Sequence, residues 1–144
     1  MRQADLAPLI DALRAPIRVL VREARLRIAL LVSGSGQVLA QHGFARGYEV
    51  ANVASLAAAA HASARALADL TGARRWTHLH HAGATRQLFL APFQTPVDEL
   101  ILVAIFEDDS SLGLVQLYFD RFAQEVAGLS ELRLRVPSTP ESFE

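Results

Sequence analysis

Cysteine is absent from the chain and so is lysine; all 14 basic residues are arginine. Without cysteine there is no thiol nucleophile, no Fe–S cluster and no thiolate-ligated zinc. Without lysine there is no Schiff-base chemistry, and a P-loop would lack the residue that reaches its phosphates. The net charge of −1 shows no basic bias, so nothing points to nucleic acid or to an anionic bilayer as a partner. No apolar run approaches the ~20 residues needed to span a membrane. The N-terminal MRQADLAPLID carries Asp5 and Asp11 and has no signal-like apolar stretch. The expectation is a cytoplasmic protein without membrane insertion, in keeping with zero cysteine. At 144 residues, about half of them apolar, one domain with a real core is expected.

Leu6, Ile10, Leu13, Ile17, Leu20 and Ala24 recur at helical spacing. They predict a helix from about Asp5 to Glu23, kinked or restarted at Pro16, since proline costs ~3 kcal/mol inside a regular helix. Leu26–Val32 reads as a strand, Gly34-Ser35-Gly36 as a tight turn and Gln37–Gln41 as the return. Glu49–Thr71 is an alanine-rich helix stopped by Gly72. Arg74–His81 and Gln87–Phe93 read as strands joined by a turn, and Glu99–Phe106, apolar without a break after Glu99, as a strand buried on both faces. Asp108-Asp109-Ser110-Ser111 supplies caps for a last helix, whose apolar face is Leu112, Val115, Phe119, Phe122, Val126 and Leu129. The order α-β-β-α-β-β-β-α with short hairpins predicts an α+β fold, an antiparallel sheet with helices packed on it.

Three of the five histidines fall in Trp76-Thr77-His78-Leu79-His80-His81. On a strand, Trp76, His78 and His80 share one face while Thr77, Leu79 and His81 share the other. His78 and His80 alone do not close a metal site, and no helical His-x-x-x-His or Glu-x-x-His adds His42 or His61 to them. A surface or interface is the simpler reading, with no metal and no cofactor. Val32-Ser33-Gly34-Ser35-Gly36-Gln37 lacks the third glycine and the following helix of a dinucleotide loop. Serine, histidine and aspartate are all present, but no GxSxG elbow places a serine nucleophile, and no catalytic residue is assigned.

On the alanine-rich helix, Val53, Leu56, Ala60, Ala64, Leu67 and Thr71 form the expected core stripe. A helical wheel places Ser55, Ala58, Ala62, Arg65, Ala66 and Asp69 on the opposite face. Solvated faces usually carry long charged side chains. Alanines spaced by four residues form instead a smooth ridge that a partner surface can approach closely; the alternative is helix propensity together with alanine-rich codon usage. In the tail, Glu131–Val136 alternates polar and apolar residues, and Pro137–Glu144 is turn-rich. Leu132, Leu134 and Phe143 are its candidate docking residues; the alternative is a flexible terminus.

RIALLVSGSGQVLA (Arg27–Ala40), VASLAAAAHASARALADLTG (Val53–Gly72) and SLGLVQLYFDRFAQEV (Ser111–Val126) together resemble the Roadblock/dynein light-chain family, and within it the bacterial MglB-type members. The resemblance implies a Roadblock/profilin-like domain over residues 1–129 with residues 130–144 as a tail. Its five-stranded antiparallel sheet would lie between one long helix and two terminal helices. It also implies a non-catalytic dimer, here a homodimer, continuing its sheet through the third strand and pairing its second helix. Arg74, Trp76, His78, Leu79, His80 and His81 would then line the seam. A Ras-like GTPase of the MglA type would meet the paired helices at Ser55, Ala58, Ala62, Arg65, Ala66 and Asp69, and its hydrolysis would be stimulated by ordering its own catalytic residues, in the service of cell polarity. Leu132, Leu134 and Phe143 would be an optional tail contact. A scaffold subunit of the same fold, without effect on hydrolysis, and a metal or hydrolytic role for His78, His80 and His81 are the two alternatives.

Overall fold

The computed structural model describes residues 3–44, 46, 49–73, 77–96 and 98–129. The elements follow the predicted order: α1 (Gln3–Ala24), β1 (Ile28–Ser33), β2 (Val38–Gly43), α2 (Val50–Thr71), β3 (Leu79–Ala82), β4 (Gln87–Gln94), β5 (Glu99–Phe106) and α3 (Leu112–Ala127). The strands form one antiparallel sheet in the order β2-β1-β5-β4-β3, so β2 and β3 are its two edges.

The centre of the sheet explains the unbroken apolarity of β5. Strand alternation sends Leu100, Leu102, Ala104 and Phe106 into the layer shared with α1 and α3, and Ile101, Val103 and Ile105 into the layer beneath α2. The α1/α3 layer is the larger. It receives Leu9, Leu13, Ile17, Leu20 and Ala24 from α1, and Val115, Phe119, Phe122 and Val126 from α3. The α2 layer receives only Ala54 and Ala57 as buried apolar helix residues. The sheet is therefore well covered on one side and thinly covered on the other.

Two local expectations change. α1 does not restart at Pro16: it runs through it, and through Pro8 as well, as one helix. Pro16 withholds one N–H from the helical ladder, but its ring is buried. Burial of Leu13, Ile17 and Leu20 on the same helix, each worth ~1.5–3 kcal/mol, offsets the defect. The third strand is shorter than Arg74–His81: β3 spans Leu79–Ala82, and Arg74 and Trp76 lie outside the described residues, as do Leu132, Leu134 and Phe143.

The predicted caps and turns hold. The Ser111 hydroxyl accepts from the Leu114 N–H at 3.2 Å and starts α3. Ser110 Oγ donates to the Ala24 carbonyl at 2.5 Å, tying the start of α3 to the end of α1. Gly36 turns β1 into β2 at φ +90°. At the far end of β2, Gly43 has φ +116°, and a Cβ there would stand 2.3 Å from the Arg27 carbonyl oxygen. Both the dihedral and the contact exclude a side chain. Gly43→Ala is expected to cost at least ~2 kcal/mol. That lowers Tm by roughly 5 °C or more for a domain of this size; an unchanged melting curve would contradict the assignment.

Candidate protein-interaction surface

Edge strand β3 and the outer faces of α2 form the surface on which most of the sequence-predicted residues fall. The β3–β4 hairpin fixes how the edge is presented. The Gly83 N–H donates to the Arg86 carbonyl at 2.9 Å, and the register pairs Ala82 with Gln87, His81 with Leu88, His80 with Phe89 and Leu79 with Leu90. By the alternation of an antiparallel ladder, Leu79 and His81 direct their backbone groups to β4, and His80 and Ala82 direct theirs outward. Among the described residues nothing pairs with that outer edge. An unpaired edge is a template for another strand.

The histidines divide between the two faces of the sheet, as the alternation predicts. On the α3 side, His78 stacks on Phe89 with centroids 5.5 Å apart and lies within 3.2 Å of Gln116 Nε2. His80 stacks on Phe106 at 6.1 Å and bonds Gln87 Oε1 at 2.7 Å. His81 and Leu79 lie on the α2 side, where Leu79 is 42% exposed. Among the described residues no group of three or more His, Asp or Glu is placed to hold a metal ion. His78 and His80 are thus engaged with glutamines and aromatic rings that brace a short edge strand.

The faces of α2 are turned relative to the sequence expectation. The buried residues are Ala54, Ala57 and His61, with Val53, Ala60 and Ala64 only partly covered. Leu56, Leu67 and Leu70, two of them assigned to the core stripe, are 70%, 62% and 85% exposed. Thr71 is exposed as well. Ala58, placed on the outward ridge, is half-buried and packs against the α2 core layer; Ser55, Ala62, Arg65, Ala66 and Asp69 are exposed as expected. The reason is steric. The helix contacts the sheet through alanines, which permit close approach, so its larger side chains project to the flanks.

Those flanks differ in chemistry. Leu56, Leu67 and Leu70 fall within about 60° on a helical wheel, with Ala62 about 80–140° and Arg65 about 140–180° away from them. On the other flank Arg65 pairs with Glu99 at the start of β5 and lies 3.1 Å from His61 Nε2. His61, buried, is 2.8 Å from the same Glu99 oxygen. This His61–Glu99–Arg65 cluster fastens α2 to the sheet and borders a cleft of about 340 Å³ also lined by Asp69, Thr77 and Phe93. The sequence signal for it, a His and an Arg four residues apart on a helix with one Glu opening an apolar strand, is too common to single out. Arg65 is 59% exposed on its side chain, so the ion pair itself contributes little. His61, whose side chain is 8% exposed, contributes through packing and its hydrogen bond. His61→Ala is expected to cost ~2–3 kcal/mol. Denaturant unfolding tests this, and a change below ~1 kcal/mol would remove His61 from the anchoring role.

A sheet covered by two helices on one side and by one helix on the other, with a β3 edge that no described strand pairs and with exposed leucines on α2, defines an α+β fold of profilin-like architecture. The chain belongs to the Roadblock/LC7 domain family, whose model matches residues 17–106. Among solved structures it is similar to Myxococcus xanthus MglB, with 28% identity over 81% of this chain and 92% of that one and a TM-score of 0.75. An MglB described as having a tetrameric arrangement is 25% identical over 93% of this chain and 94% of that one, with a TM-score of 0.72. Acanthamoeba castellanii profilin II shares the fold alone, at 16% identity over 80% of this chain and 96% of that one and a TM-score of 0.55. No curated protein matches the sequence. The fold and the MglB-like character are those that the sequence resemblance implies. Among the described residues no helix is long and apolar enough to cross a membrane.

Proposed function

We propose that the protein is a homodimeric regulator of a Ras-like GTPase of the MglA type, binding it and stimulating GTP hydrolysis. The observation that carries the reading is the pairing of an unpaired β3 edge with exposed Leu56, Leu67 and Leu70 on α2, in a chain similar to Myxococcus xanthus MglB. Exposed apolar side chains on a helix and an open sheet edge each call for a partner. A second copy satisfies both features at once: β3 pairs with β3 about a two-fold axis, and the leucine flanks of the two α2 helices meet. Leu79, His80 and His81 then lie at the seam, with His78 beside it and Arg74 and Trp76 as further seam residues.

The rest of the exposed face of α2, with Ser55 and Ala66 next to the leucines, Ala62, Arg65 and Asp69 farther round and Ala58 at its margin, is the proposed GTPase surface. Its alanines admit close approach, and Arg65 and Asp69 supply charges of both signs. The protein acts as a regulator, with no catalytic residue and no cofactor of its own. Stimulation comes from ordering the water-positioning and charge-stabilising groups of the GTPase. Residues 1–129 form the Roadblock-type unit and residues 130–144 a tail, whose Leu132, Leu134 and Phe143 are the optional further contact; the setting is the cytoplasm. The test is a pull-down of an MglA-type GTPase in its GTP-bound form with full-length protein. Retention of the GTPase supports the reading, and its absence at micromolar concentrations opposes it. A scaffold subunit of the same fold would bind without accelerating hydrolysis.

A further inference from the structure

The opposite sheet edge, β2, has a different chemistry. The Phe44 N–H donates to the Arg27 carbonyl at 2.8 Å. With His42 paired to Ala29 and Gln41 to Leu30, alternation then turns the N–H and C=O of Gln41 and Gly43 away from β1. Among the described residues no strand pairs with that outer edge. The edge holds no proline, lysine or acidic residue of the kind that blunts an exposed strand.

α1 lies alongside. Ile10, Arg14 and Arg18 face residues 38–42 of β2 across a groove of about 480 Å³, and no acidic side chain lines it. His42 shares its sheet face with Ala29, which belongs to the layer under α1, so the imidazole stands on the arginine side of the groove. Arg14 has a 3.6 Å pair with Asp11, with both side chains about three-quarters exposed, and such a pair is easily exchanged. Arg18 makes no ion pair among the described residues. Two guanidiniums four residues apart thus stand over a row of unsatisfied backbone donors and acceptors.

We propose that this groove docks an extended acidic segment of a partner protein, which adds a strand to β2 and places alternate carboxylates against Arg14 and Arg18. Main-chain hydrogen bonds supply affinity in such an addition, and the alternate side chains supply specificity. Guanidinium–carboxylate pairing is the complementary charge-assisted contact. A concave groove bounded by a helix and a strand edge fits one extended chain. A flat anionic bilayer would reach only the arginine tips. The site lies at the edge remote from β3 and is independent of the GTPase reading.

The test is fluorescence anisotropy of labelled Val-Glu-Val-Glu-Val-Glu with the full chain. Saturable binding is expected, weakening severalfold between about 50 and about 300 mM salt. Arg14→Glu combined with Arg18→Glu should reduce affinity at least about tenfold, as should N-methylation of the peptide's alternate amides. Gln41→Pro removes an outward N–H without touching the β1 ladder and should also abolish binding. Thermal melting shows that each variant is folded. Binding that survives the charge reversal or the N-methylation overturns the proposal, as does the absence of binding at millimolar peptide. Sedimentation with phosphatidylserine vesicles in place of peptide binding overturns it too. Binding that emerges only when residues 130–144 are removed assigns the edge to the chain's own tail and equally overturns it.

Discussion

Leu67→Glu combined with Leu70→Glu is expected to convert the proposed dimer into a folded monomer. In the single chain these side chains are 62% and 85% exposed, so the fold does not depend on them. Burying each leucine in a partner is worth ~1.5–3 kcal/mol, and two-fold symmetry counts each substitution twice. Allowing for incomplete burial, the dimer constant should weaken by ~100-fold or more, with like charges opposed across the axis adding to the loss. Analytical ultracentrifugation over a concentration series reads the constant, and thermal melting reads the fold. A dimer that persists at micromolar concentration in the double variant would place the subunit interface elsewhere. A collapse of Tm would mean that the leucines serve this chain's own core.

Ala62→Arg is the second large effect, and its signature is the reverse. Ala62 is exposed on the side that carries Arg65 and Asp69, about 80° or more round the helix from the leucines. Arginine has nearly the helix propensity of alanine, so folding should be unchanged. The dimer should also persist. Affinity for the GTP-bound partner should fall by ~100-fold or more, because a long charged side chain replaces a methyl group on a surface that relies on close approach. Isothermal titration of wild type and variant with the GTPase reads this directly. Equal affinity would leave the dimer standing and refute the position of the GTPase surface. The two variants separate the two halves of the proposal: one removes the dimer, the other removes the partner from an intact dimer.

How legible each feature was in the sequence follows from how strongly burial constrains it. β5 was readable residue by residue, since a strand buried on both faces must be apolar throughout and Leu100–Phe106 is the longest such run among the strands. α3 was equally clear, because its buried Val115, Phe119, Phe122 and Val126 all serve one layer and Ser111 marks its start. α2 misled for the opposite reason. A ring of alanines gives almost no directional signal, and the eye assigns the few leucines to the core. Here the leucines are spared from the core because only alanine lets the helix sit close to the sheet. Their exposure is a property of the surface rather than of local pattern, and it appears only once Ala54, Ala57 and His61 are seen to be the buried residues. The same holds for the histidines of the β3 region. Alternation separated His81 from His78 and His80, but the stacking on Phe89 and Phe106 and the bonds to Gln116 and Gln87 depend on strands and a helix distant in sequence. Pro16 shows the limit of a propensity argument: a local cost is overridden when the helix face that carries it is fully buried.

The central claim is that this dimer accelerates a GTPase that holds its own catalytic groups. Single-turnover hydrolysis of GTP by an MglA-type GTPase, with and without saturating wild-type protein, measures it most directly. The account predicts an acceleration of about tenfold or more, lost when Ala62→Arg protein is used at the same concentration. A rate unchanged at saturating wild-type protein would contradict it.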